Sequence, residues 1–227
     1  MNPPSANLPE THIGWNTDEH LMQFDHWNKM NNFEFVYKYG AMEDQKYLTE
    51  KIKNLKTPSI LDFGCATGTT NRYLRLVSKK HKYTYKGVDI SKPIINQAKK
   101  YYGEDEFEVI GKNSDYLQKN KFDIVISRDT VLHQEDPYKF IKSLLQASNN
   151  SLILRTKTRD NGETVFDVSK TCQLHYDNYW MPYIVLNFDE LIEFLLSQER
   201  VDTIKVNKSY FVLSLIHISE PTRQEVI

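Results

Sequence analysis

Cysteine is scarce in this 227-residue chain. Cys65 and Cys172 are its two, far apart and without C-x-x-C spacing, which speaks against a disulfide scaffold and against a cysteine zinc site. Long apolar runs are lacking too. None approaches the roughly 18 residues that cross a bilayer, and Met1-Asn2-Pro3-Pro4-Ser5 shows no basic stretch leading into an apolar one. The expectation is a cytoplasmic protein with no membrane partner. Neither sign of charge dominates, with 29 basic against 30 acidic residues. Without a basic excess to neutralise a phosphate backbone, nucleic acid is not expected as a partner. The seven histidines have no paired metal-ligand spacing, so no metal is expected. No internal repeat is present.

What is there suffices for a core. Apolar residues make up 40% of the chain and aromatics 12%, at a length that suits one decorated α/β domain. Residues 1–18 are polar and rich in Pro and Asn. From about Glu19 to Leu55 the pattern is helical, with breaks near Asn31-Asn32 and Gly40. Leu21, Phe24, Trp27 and Met30 make one stripe, and Tyr47, Leu48, Ile52 and Leu55 a second. Pro58 ends this region, giving an N-terminal helical cap over 1–57.

Beyond Pro58 short apolar strands alternate with helices. Strands are expected at 60–63, 83–90, 107–110, 122–127, 151–156 and 201–206. Helices are expected at 70–79, 92–102, 137–147 and 188–197. Strict alternation implies an α/β fold with a doubly wound, mostly parallel sheet and helices on both faces. The domain proper is assigned to 58–212. The stretch 159–187 is too long for an ordinary connection and carries Phe166, His175, Tyr176, Tyr179, Trp180 and Tyr183. An aromatic insertion after a strand's carboxyl end is where such a sheet builds a ligand pocket.

The first strand runs into Asp62-Phe63-Gly64-Cys65-Ala66-Thr67-Gly68, and the second ends Gly87-Val88-Asp89-Ile90-Ser91. Glycines let a strand-to-helix turn form tightly. An acid about 20 residues beyond such a loop stands where a carboxylate accepts ribose hydroxyls. A dinucleotide is the competing ligand, but its fingerprint needs a third glycine at a spacing this loop lacks. Asp62 would also oppose a pyrophosphate at the helix N-terminus.

Together these features resemble the class I (Rossmann-like) S-adenosylmethionine-dependent methyltransferases, with Ala66 in place of the middle glycine of their acid-G-x-G-x-G motif. The likeness extends from about Ser59 to Arg155 and includes Phe122-Asp123-Ile124-Val125-Ile126-Ser127-Arg128. It implies a seven-stranded type of sheet, S-adenosylmethionine as cofactor, and methyl transfer to the O or N of a small molecule. It also implies cofactor contacts from Asp62, Gly64, Cys65, Ala66, Gly68, Asp89, Ile90, Asn113, Ser114 and Arg128, with Cys65 contributing only backbone. A cofactor-binding scaffold without catalysis, and a methyltransferase acting on RNA or protein, are the alternatives. The oligomeric state is not indicated.

Methyl transfer relies chiefly on orientation and needs a base only where the acceptor must lose a proton. The candidates are His133, Asp129 and His175. Candidate acceptor-binding residues are Tyr37, Tyr176, Tyr179, Trp180 and Arg155, with Trp15, Trp27, Tyr39 and Tyr183 as further walls, and Lys157 and Arg159 as further cations. Residues 213–223 resemble the translation of a widely used sequencing adapter. On that reading 213–227 is non-native and the last strand is lost or replaced.

Overall fold

The computed structural model describes residues 13–40, 42–112, 114–175, 179–208 and 223–226. After a 3-10 turn at Ile13–Asn16 come three helices, α1 (Asp18–Lys29), α2 (Asn32–Tyr39) and α3 (Glu43–Asn54). The breaks between them are set by local chemistry. The Thr17 hydroxyl accepts from the His20 amide at 3.2 Å and the Asn31 side chain from the Glu34 amide at 2.9 Å, so both residues cap the helix that follows.

The alternating region follows as β1 (Ser59–Phe63), α4 (Thr69–Val77), β2 (Thr84–Asp89), α5 (Lys92–Tyr102), β3 (Phe107–Val109), α6 (Tyr116–Lys119) and β4 (Phe122–Arg128). A 3-10 turn at Val131–His133 leads to α7 (Pro137–Ala147) and β5 (Ser148–Arg159). The insertion is not a structureless loop. It holds a hairpin of β6 (Cys172–His175) and β7 (Tyr179–Pro182), then β8 (Leu186–Asn187) leading into α8 (Phe188–Leu196).

The sheet runs β3-β2-β1-β4-β5, all parallel, with β8 also parallel beside the end of β5. Its far side is antiparallel, where β10 (Arg223–Val226) lies between β5 and β9 (Val206–Lys208). The strand expected at 201–206 is corrected: 201–205 is irregular and pairing begins at Val206. A strand exists only where a partner supplies hydrogen bonds, and Arg223–Val226 meets this segment at Val206 to Lys208. Of the tail set apart in the sequence, 213–222 and residue 227 lie outside the described residues.

Ile124-Val125-Ile126 is fully buried on both sides, as a central parallel strand requires. On one face Ile60, Ile124, Ile126 and Ile153 pack with Phe35, Tyr39, Leu48, Ile52 and Leu74. On the other, Leu61, Val125 and Leu154 pack with Ile141, Leu144, Leu191 and Leu195. Each such side chain is worth about 1.5–3 kcal/mol. The helical cap therefore shares the core of the α/β unit. No helix among the described residues is long and apolar enough to cross a membrane.

Candidate active site

The strand order reverses between β1 and β4, and the crevice outside the carboxyl ends at such a point is where these sheets bind ligands. The turn after β1 forms one wall. Gly64 has φ +75° and Gly68 φ +82°, values that favour glycine. Their hydrogens do not face open ligand space. A Cβ on Gly64 would lie 2.1 Å from Cγ2 of Thr130, and one on Gly68 2.8 Å from the rings of Phe107 and Tyr102. Packing within the protein demands both glycines. Ala66 sits between them at φ +47°, a left-handed conformation that costs a residue with a Cβ about 1–2 kcal/mol.

Asp89 holds this turn to β2. Its carboxylate accepts from the Ala66 amide at 3.1 Å and the Ser91 amide at 2.9 Å. Burial pushes the carboxyl above the usual carboxylate range, and the amides of Ser91, Ala66 and Ile90 pull it back. Each carboxylate oxygen has a second lone pair, so the group retains acceptor capacity toward a ligand. Asp62 lies deeper, accepting from the Tyr85 hydroxyl at 2.7 Å, and burial pushes its carboxyl up to about 6. Burial also raises the Cys65 thiol well above its ordinary range, which suits a packed side chain rather than a nucleophile.

The N-terminal helices close over the turn. The Asn28 amide donates to the carbonyl and hydroxyl of Thr67 at 3.1 and 2.8 Å, and the Thr67 hydroxyl donates to the Phe24 carbonyl at 3.1 Å. The Asn16 side chain accepts from the Lys92 amide at 3.1 Å, beside Asp89 in sequence. Nothing in the residue pattern marks Asn28 or Asn16 for this.

Arg128 at the end of β4 stands in register with Arg155 of β5, and each side chain is only 8% exposed. Arg128 pairs with Asp44 at 2.5 Å, bonds the Tyr39 hydroxyl and reaches the Met42 sulfur at 2.8 Å. Arg155 pairs with Asp129 and reaches the same sulfur at 3.2 Å. Tyr39 in turn shares a hydrogen bond with Thr69, the first residue of α4. This network ties cap, glycine turn and β5 together. Both arginines are thus engaged within the protein, and Asp129, at φ +55°, has its carboxylate held by Arg155 rather than capping a helix.

His133 stands in the 3-10 turn after β4. Its Nδ1 lies 2.9 Å from the Pro182 carbonyl. A carbonyl only accepts, so Nδ1 carries the proton and Nε2 is the basic nitrogen of the neutral ring. Two rings pack edge-to-face on His133, that of Trp15 at 4.8 Å and that of Tyr183 at 5.8 Å. Trp15 continues to His20 at 4.7 Å, and His20 to Phe24 at 4.8 Å. Nothing singled out His20 in the sequence, although His20 and Phe24 share a face at i, i+4 spacing.

Other expected positions fall elsewhere. Tyr37 is corrected: it is 74% exposed and stacks on exposed Phe33 along the outer side of α2, because α2 turns Phe35 and Tyr39 to the core. Ser114 is exposed, its hydroxyl accepting from the Tyr116 amide at 3.1 Å. Ile90 packs half-buried against the second core cluster. Trp180 is half-buried on β7 opposite Leu174. Asn113 and Tyr176 lie outside the described residues. His175 and Tyr179 pair through their backbones. No group of three or more His, Cys, Asp or Glu able to hold a metal occurs among the described residues.

Residues 61–149 match the family model described as a methyltransferase domain. Magnesium protoporphyrin IX methyltransferase from Synechocystis PCC 6803, solved with bound SAM, superposes with a TM-score of 0.60 at 16% identity, covering 98% of this chain and 99% of that one. The fold is that of the class I methyltransferases. The plantazolicin methyltransferase BpumL in complex with SAH also shares the class I fold, with a TM-score of 0.59 at 17% identity over 88% of this chain and 78% of that one. Among curated proteins, phosphoethanolamine N-methyltransferase 1 of Arabidopsis thaliana is 32% identical over 101 residues, and its counterpart from Triticum aestivum 30%. Those matches take in 43% of this chain and 20% of each relative's length.

Proposed function

We propose that the protein is an S-adenosylmethionine-dependent methyltransferase acting on a small-molecule acceptor, with His133 as general base. The observation that carries the reading is the Asp89 carboxylate, anchored by two backbone amides beside the glycine turn and still able to accept ribose hydroxyls. The charge of the crevice fits the same cofactor. Asp44 and Asp129 are paired with Arg128 and Arg155, while Asp62 and Asp89, beside the glycine turn, accept from a hydroxyl and from amides, an arrangement that suits a ligand carrying a sulfonium and an ammonium. Asp62, Gly64, Cys65, Ala66, Gly68 and Ile90 would line the cofactor mainly through backbone, and Arg128 would act through its network. When bound, the cofactor supplies an activated methyl group.

The chain's own residues orient the acceptor and take up its proton. His133 suits that task because the Pro182 carbonyl fixes its tautomer. Asp129 is the poorer base, since its carboxylate is stabilised by Arg155. Arg155 serves the acceptor side through Asp129 and Met42. The names of the curated relatives and solved neighbours, which include N-methyltransferases and a porphyrin methyltransferase, support small-molecule methyl transfer. Titration calorimetry of S-adenosylmethionine into the wild-type protein tests the reading. Saturable one-to-one binding is expected, and absence of heat attributable to binding would remove the cofactor from the account.

A further inference from the structure

Five rings run along the carboxyl edge of the sheet in edge-to-face contact: Tyr183, His133, Trp15, His20 and Phe24. They come from four separate pieces of chain: the insertion, the turn after β4, the N-terminal 3-10 turn and α1. The row begins where the insertion is stitched to the β4 turn, by the Ile184 amide to the Leu132 carbonyl at 2.8 Å and by His133 to Pro182. It ends at Phe24, whose carbonyl holds the glycine turn through Thr67. All but His20 are only half-buried, so a ligand entering the crevice meets ring surface. One cation closes the insertion end. Lys157 Nζ donates to the Tyr183 hydroxyl and lies 5.0 Å from the centre of that ring.

Resting on the methyltransferase reading, we infer that the acceptor is a hydroxylated aromatic ring of the phenol class, held against the row of Trp15, His133 and Tyr183 with its hydroxyl toward His133. Flat rings gain from the offset and edge contacts such a row offers. An ammonium acceptor gains from a ring face only where no other cation stands near, and the Lys157 ammonium at the Tyr183 hydroxyl repels a second cation. The same lysine favours an acceptor oxygen that gains negative charge as its proton leaves. In the transfer, the acceptor O–H proton passes to Nε2 of His133. The new O–CH3 bond forms as the S–CH3 bond breaks, and the electron pair of the broken bond stays on sulfur. Trp15 is then a specificity-determining residue at the other end of the chain from the insertion.

The probe is 4-nitrophenol, whose visible absorbance reports its ionisation, titrated into the full chain with S-adenosylhomocysteine present. Saturable binding with a lowered phenol pKa is expected. Trp15→Ala weakens it about tenfold, in line with one lost ring contact to the phenol, and Trp15→Phe largely retains it. Lys157→Met raises the pKa of the bound phenol, and Tyr183→Phe leaves the ring contact in place. Ethanolamine at the same concentration does not compete. Binding that is indifferent to Trp15→Ala, an unshifted phenol pKa, or competition by ethanolamine would overturn the inference. S-adenosylmethionine affinity is read in parallel on wild type and each variant. Its loss from the wild type counts against the cofactor reading, whereas its retention beside a failed phenol titration counts against this inference alone.

Discussion

The two halves of the crevice are built differently. On the proposed cofactor side, Gly64, Ala66, Gly68 and Asp89 lie within 26 residues of one another and are fixed by backbone geometry and amide hydrogen bonds. On the proposed acceptor side, Trp15, His133 and Tyr183 are brought together from distant parts of the chain by ring packing, a histidine–carbonyl bond and the backbone bond from Ile184 to Leu132. A site made of backbone resists change of most side chains and fails when its few special residues change. A site made of rings tolerates change in stability but loses selectivity residue by residue.

If the acceptor half depends on His133 as a base, His133→Ala should lower turnover by about 10²–10⁴-fold while calorimetry shows unaltered cofactor affinity. Undiminished turnover would reduce that half to positioning alone. The backbone half should break hardest at Gly64. A methyl group there adds left-handed strain to a collision with Thr130 Cγ2, and overpacking of this kind is costly. Gly64→Ala is expected to destabilise by about 2–4 kcal/mol in denaturant unfolding. Thr130→Ser in the same chain removes the colliding methyl and should recover part of the loss. No recovery would mean that strain, not the collision, decides.

Asp62 gives the backbone half a pH signature. Its folded carboxyl titrates at about 6 against an ordinary 3.8, so between those values the folded protein holds a proton that the unfolded chain has lost. Stability from this group is therefore present below about pH 4 and is lost as pH rises through about 6, by roughly 3 kcal/mol at most. Asp62→Asn should remove that slope. Equal pH dependence of wild type and variant, followed by chemical unfolding from pH 4 to 7, would contradict the burial argument. The smallest effect is expected at Ala66. Ala66→Gly relieves the left-handed strain but adds backbone entropy to the unfolded chain, a net gain of less than about 1 kcal/mol in the same assay.

The same contrast explains what could be read from residues alone. Asp62-x-Gly64, Asp89 and the alternating strands were legible because each is a local pattern with a local physical cause. Arg128 and Arg155 were visible as cations at strand ends, but their pairing with Asp44 and Asp129 depends on where α3 docks, which no local spacing encodes. Tyr37 shows the converse error. Its aromatic character suggested a pocket wall, while its place on α2, opposite Phe35 and Tyr39, turns it to solvent. The strand expected at Val201 stayed unpaired because its partner is Arg223–Val226, a pairing across the chain that periodicity cannot see.

Asp89 is the proposed ribose anchor, and one measurement addresses that role directly. Calorimetric titration of S-adenosylmethionine into wild type and Asp89→Ala, with melting temperatures of the free proteins recorded alongside, separates binding from folding. Charge-assisted bonds to the ribose are worth about 1.5–3 kcal/mol each, so affinity should fall at least about tenfold while the melting temperature stays nearly unchanged. Wild-type affinity in the variant would contradict the account.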